Sequence, residues 1–290
     1  MSANHSTVLV VGATGSIGIP VVAEALREGY AVRALVRDLN RASQLPPEAQ
    51  RVVGDLTRPE TLPAAVADVD AIVFTHGTYD GGGEAAERVD YGAVRNILAA
   101  LGSRQVRIAL MTTIGVTFRT SVDRSANERH DWKRRGERLV RVSGMPYTIV
   151  RPGWFDYNGA DEHHLVLLQG DRRHAGDPSD GAVSRRQIAH VLVASLTSDA
   201  ALRKSFELVA MKGPRQDDLD SLFAPLDADV PGALDGVRDL DNMSFSREPQ
   251  RVRDDLEAVR GRQPKAVEGA RNAPRTAHSD SSANAKGKHP

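Results

Sequence analysis

A chain of 290 residues, 40% hydrophobic and 26% charged, has the make-up of an ordinary globular protein with one large or two small domains. Its 38 basic residues balance its 38 acidic ones, and no apolar run approaches the ~20 residues needed to span a bilayer, so nucleic acid and membrane are not expected partners. With no cysteine, disulfides, thiolate nucleophiles and cysteine metal sites are excluded; MSANHST lacks the basic segment and apolar core of a signal peptide, so a cytoplasmic location is the expectation.

The chain is organised around residues 7–38. An apolar run, Val8 to Val11, stops at Gly12; Gly15 and Gly18 follow at three-residue intervals, before an amphipathic stretch carrying Val21, Val22, Ala25 and Leu26. A second run, Ala31 to Val36, ends at Arg37 and Asp38 and completes a β-α-β unit. Glycine at these positions suits a tight turn, close approach of backbone to a pyrophosphate, and close packing of helix on strand, with the helix N-terminus turned to the phosphates. A dinucleotide site is therefore expected at Gly12, Thr14, Gly15, Ser16, Ile17 and Gly18. The spacing GATGSIG resembles the extended and atypical short-chain dehydrogenases/reductases, the group that includes NmrA-like proteins. At the end of the second strand an acid suits a ribose 2′-OH and a guanidinium a 2′-phosphate. Arg37 and Asp38 offer both, and only one can face the ribose. The resemblance implies that Arg37 does so, which favours NADP over NAD.

Gln50 to Val53 reads as a third strand, and Asp55-Leu56 resembles the family's pair beside the adenine; an Asp cap for a helix starting near Pro59 fits as well. Val69 to Phe74 is a fourth strand, ending in Thr75-His76-Gly77 at the edge where ligands sit in an open parallel sheet. These three are cofactor candidates, although His76 also fits a satisfied structural residue. A polar, glycine-rich loop, 78–83, precedes a helix over 84–101, and Val106 to Met111 is a fifth strand delivering Thr112 and Thr113 to the same edge. The resemblance implies that Thr113 takes the place of the Ser/Thr that hydrogen-bonds a substrate carbonyl.

Residues 127–153 resemble the helix and sixth strand of atypical reductases close to a plant NAD(P)-binding group with a W-K-R-x-x-E pattern, through Trp132, Lys133, Arg134, Glu137 and Arg151-Pro152. In active relatives a Tyr stands four residues before this Lys and protonates the substrate while the Lys holds the nicotinamide ribose. Here that position is Arg129, and a guanidinium is no proton donor near neutral pH. His130, Asp131, Tyr157 or a water are the replacement candidates, His130 first and Tyr157 second, with Lys133 retained for the ribose. Gly153 to Tyr157 concentrates three aromatics after the sixth strand, which suits a substrate-pocket wall or core filling. Asp161-Glu162-His163-His164 reads as a solvated loop, and no metal site is expected.

Beyond a loop over 170–181, a helix through Ile188 to Leu196 and a late strand over 206–210 are expected, then a proline-broken region, 213–260, which reads as a small irregular subdomain or a wrap-around segment ending in a charged helix. The last thirty residues carry six Lys/Arg, two Asp/Glu and almost nothing apolar, and read as a disordered tail. The fold class expected is α/β, a Rossmann-like doubly wound parallel sheet with a small C-terminal substrate-binding portion: a core over 1–153, a substrate portion over 154–260 interleaved with late sheet elements, and the tail from 261. The function expected is an NADP-dependent oxidoreductase transferring hydride to a carbonyl or similarly polarised small molecule, with a non-catalytic NADP-binding regulator, or a module that stabilises a partner, as alternatives.

Overall fold

The computed structural model describes residues 6–78, 80–119 and 124–262. Eight strands form one sheet: β1 (Thr7–Val11), β2 (Ala31–Val36), β3 (Gln50–Val53), β4 (Ala71–Phe74), β5 (Arg107–Met111), β6 (Tyr147–Pro152), β8 (His164–Leu168) and β10 (Lys204–Met211). Their order is β3-β2-β1-β4-β5-β6-β10-β8, parallel throughout except for β8, which runs antiparallel to β10 at the edge. Two short strands, β7 (Trp154–Phe155) and β9 (Ala182–Val183), pair separately.

Strand alternation sorts the core into two layers. Val8 and Val10 face a cluster with Val21, Val22 and Ala25 of α1 (Gly18–Arg27) and Ile188 and Leu192 of a helix over 185–194. Leu9 and Val11 face the opposite cluster, with Ile97 and Leu98 of a helix over 92–101, Leu139 and Val140 of one over 124–142, and Leu256 of one over 250–260. β1 is buried on both faces, which is why it reads as a continuous apolar run. The switch in winding direction falls between β1 and β4, and their carboxyl ends open a crevice there.

The helix expected over 84–101 is interrupted. It starts as an α-helix over Gly82–Ala86, widens into a π-turn over Glu87–Tyr91, and resumes as an α-helix over Gly92–Leu101. The edge strand β8 was not expected, and it takes His164 out of the loop assigned to residues 161–164; pairing with Met211 supplies its backbone partners. In the helix over 185–194, Ser184 and Gln187 form a reciprocal capping box.

Residues after β10 do not form a separate lobe. They run along the helix over 124–142, where Arg134, Arg138 and Arg141 are buried against Asp235, Glu248 and Asp229, and the closing helix also packs on that helix. The predicted tail lies outside the described residues apart from Gly261 and Arg262. No helix of the described residues is long and apolar enough to cross a membrane.

Candidate nucleotide and substrate site

The turn after β1 is closed by packing that only glycine permits. Gly12 has φ +86°, and a Cβ there would sit 2.7 Å from the His76 amide nitrogen; a Cβ at Gly18 would lie 2.0 Å from the Gly12 carbonyl oxygen. Strand β1, the end of β4 and the start of α1 are thereby locked together. Gly18 works through this packing and does not itself line the crevice. The crevice has a volume of about 410 Å³; Gly12, Thr14, Gly15, Ser16 and Ile17 form one wall, and α1 begins without a side-chain cap. A cradle of unsubstituted backbone at a helix N-terminus matches what a pyrophosphate requires.

The far end of the crevice distinguishes Arg37 from Asp38. Arg37 lines it, whereas the Asp38 carboxylate turns away and accepts the Asn40 amide at 2.9 Å, capping a short 3₁₀ turn. Asp55 and Leu56 line the same region. Asp55 Oδ1 accepts both the amide and the hydroxyl of Thr57 at 2.8 Å; the amide bond, with help from Arg37 and Arg58, holds its carboxyl below the usual range. Asp55 therefore closes a turn while facing the crevice, and it does not cap a helix: the 3₁₀ turn that follows is preceded by Arg58.

At the inner end, Thr75, His76, Gly77 and Lys133 converge. The Thr75 hydroxyl is committed to the Val11 carbonyl at 3.0 Å. His76 is buried, with Nε2 3.1 Å from the Asp90 carbonyl, and burial pushes its pKa down. The π-turn brings Asp90 to this spot, where its Oδ1 accepts from Lys133 Nζ at 2.5 Å. Sequence reading passed over Asp90 because a π-turn leaves no mark in apolar periodicity.

Thr112 and Thr113 separate here. Thr112 donates to the buried Glu137 at 2.7 Å, so its hydroxyl belongs to the ionic interior. Thr113 lines the crevice and also a second cavity of about 250 Å³, and Phe155 is the other residue common to both. The second cavity includes His130, Phe118, Trp154, Arg173 and His174. Burial, then the nearby Lys133 charge, lowers the His130 pKa, so its imidazole is neutral at pH 7.

Tyr157 lines neither cavity. It is 66% exposed and packs edge-on against Trp154, because the left-handed backbone of Asp156 (φ 60°) turns the chain outward after β7. Its candidacy as proton donor is corrected on that ground. Arg129 lines neither cavity either. The expected substrate portion also divides: Trp154, Phe155, Arg173, His174, Gly176 and Asp180 line the second cavity, while nothing beyond 180 contributes to it. Among the described residues no cluster of His, Asp and Glu could hold a metal.

Behind Thr112 lies a buried ionic network that sequence reading missed. Arg151 contacts Glu137 and Asp239 at 2.7 Å, and Glu207 lies farther away at 3.4 Å. With Arg151 already compensated twice, burial dominates at Glu207 and raises its pKa to about 8. The available signal was complementary: Arg134, Arg138 and Arg141 share one helical face, and residues 227–241 carry Asp227, Asp229, Asp235, Asp239 and Asp241.

The family model described as NAD(P)H-binding matches residues 12–199. The photosystem II assembly factor Ycf39 of Trieres chinensis is 28% identical over 162 residues, 55% of this chain and 49% of that protein. The NAD(P)H azoreductase of Xenophilus azovorans is 30% identical over 192 residues, 66% of this chain and 63% of its own length. The chain thus spans about half to two thirds of the length of these two curated relatives. Among solved structures, ChuY, an anaerobillin reductase from Escherichia coli O157:H7, superposes with a TM-score of 0.57 at 22% identity, covering 72% of this chain and 100% of that one, which establishes a shared fold.

Proposed function

Because the chain belongs to the NAD(P)H-binding family, we propose that it is an NADPH-dependent reductase of a small carbonyl or similarly polarised compound. The observation that carries this reading is the meeting of two cavities at Thr113 and Phe155, one with a phosphate cradle and Arg37, the other lined by aromatics and His130. NADPH, when bound, would supply a hydride to the carbonyl carbon, leaving NADP and, after uptake of one proton at oxygen, an alcohol. Arg37 supports the 2′-phosphorylated cofactor, since the competing acid, Asp38, is turned away into a cap. Lys133, fixed by Asp90, is assigned to the nicotinamide ribose. Thr113 is assigned to orient the substrate oxygen and His130 to deliver the proton. An NAD(P)H azoreductase among the relatives supports reductase chemistry.

A binder without turnover is the second reading, favoured by one observation: Arg129 occupies the position of the usual acid. NADPH oxidation followed at 340 nm across a carbonyl panel separates the two. Turnover supports the reductase, and tight NADPH binding with no oxidation in any member would overturn it in favour of the binder.

A further inference from the structure

The second cavity constrains what can enter it. Aromatic residues make up 4% of the chain, yet Phe118, Trp154 and Phe155 all line this one space, joined by the imidazoles of His130 and His174. Phe118 and His174 lie nearly parallel, 11° apart with centroids at 4.4 Å, and form a flat slab. Gly115 and Gly153 add no side chains, and Gly153 cannot gain one, since its Cβ would meet the Gly181 carbonyl at 2.3 Å. A volume of about 250 Å³ is below the ~300 Å³ at which drug-sized ligand sites begin, so it suits a molecule of one or two rings.

Its charge is equally defined. The Asp180 carboxylate is taken up by the amides of Ala175 and Gly176, both at 2.7 Å. Nearby Asp171 is fully buried and accepts from Gly115, from the Thr117 amide and from the Thr117 hydroxyl. Arg173 is held by the Asp180 carbonyl at 3.1 Å and has no carboxylate within ion-pair distance among the described residues. Arg173, an exposed side chain, is therefore the lining cation that no described carboxylate pairs, while Asp180 keeps its own negative charge behind neutral amides.

We propose that this cavity binds a planar aromatic anion, a carboxylate or sulfonate of one or two rings, with its rings against Trp154, Phe155 and the Phe118/His174 slab and its charge on Arg173. The proposal rests on the reductase reading for its position beside Thr113, and its test is separable from that reading. Calorimetric titration of the NADPH-loaded protein would use 2-naphthoate, neutral 2-naphthol and the saturated decalin carboxylate. We expect 2-naphthoate to bind at least about tenfold tighter than either comparator. Arg173→Gln should remove about tenfold of the 2-naphthoate affinity while leaving 2-naphthol and NADPH binding unchanged, the last showing that the variant is folded. Trp154→Ala should weaken both aromatic probes. Equal binding of the aromatic and saturated acids, an Arg173→Gln variant that keeps full 2-naphthoate affinity, or no binding of any probe would overturn the proposal. If NADPH fails to bind while 2-naphthoate still does so selectively, the cofactor reading falls and this one stands.

Discussion

Lys133 Nζ lies 2.5 Å from Asp90 Oδ1, joining the long helix of residues 124–142 to the π-turn that interrupts its neighbour. The Asp90 side chain is 3% exposed and that of Lys133 17%, so the pair sits at the inner wall of the crevice with little solvent screening. The same π-turn turns the Asp90 carbonyl to His76. One local widening of a helix thus sets both the ammonium and the imidazole at the cofactor cleft.

From this we predict that Asp90 acts through Lys133. Asp90→Asn should weaken NADPH several-fold and Lys133→Met more, measured by quenching or enhancement of NADPH fluorescence. The two changes should be non-additive by about 0.5 kcal/mol or more, the range for residues in direct contact. Strict additivity would mean that Asp90 serves only the fold.

Cofactor choice is predicted to rest on Arg37. A charge-assisted bond of ~1.5 to 3 kcal/mol implies that Arg37→Ala weakens NADPH by roughly 10- to 150-fold and leaves NADH nearly unaffected. Equal losses for the two cofactors in parallel titrations would remove the 2′-phosphate assignment.

The proton donor can be separated by variant and by pH. With a compound turned over in the carbonyl panel, His130→Ala should lose ~10²-fold in kcat, the usual size of general acid catalysis. Tyr157→Phe should lose nothing, since that ring is exposed outside both cavities. Because burial and Lys133 lower the His130 pKa, an imidazolium donor makes kcat rise as pH falls towards that lowered pKa and level off beneath it, and His130→Ala should flatten that limb. A wild-type profile flat from pH 5 to 8 would sink the assignment.

Glu207 predicts an alkaline weakness in stability. Its folded pKa of about 8 is above the ordinary 4.5, so at low pH both folded and unfolded chains hold the proton, and above about 8 neither does and the folded state bears the full cost of a buried carboxylate. Stability is therefore lost as pH rises between these values, by up to about 1.4 kcal/mol per unit. The lowered pKa values of His76 and His130 act on the acid side, with stability present above about 6.5 and lost as pH falls. Between pH 6.5 and 8.5 we expect Tm to fall by about 4 to 8 °C, at roughly 2 to 4 °C per kcal/mol. Glu207→Gln should shrink that fall; an unchanged slope in the variant would show that Glu207 is not its source.

Much of the fold was legible because it follows from local repetition. The limits of β2 and β3 coincide with the strands read from the sequence, Ala31 to Val36 and Gln50 to Val53, and the glycine spacing of GATGSIG specifies a turn in which a Cβ at Gly18 would meet the Gly12 carbonyl. Such features depend on residues a few positions apart, so periodicity and steric rules are enough to find them. That the helix of residues 124–142 buries three arginines was not legible, since its sequence reads as a solvated face. Their carboxylate partners lie about a hundred positions away, and only chain folding creates the low-polarity space in which they must pair. The outward turn that carries Tyr157 away and the approach of Asp90 to Lys133 are of the same kind. Sequence supplied the chemical groups, and the tertiary structure decided which of them share a cavity, because side-chain direction at a strand end, a left-handed residue or a π-turn depends on packing that adjacent residues do not encode.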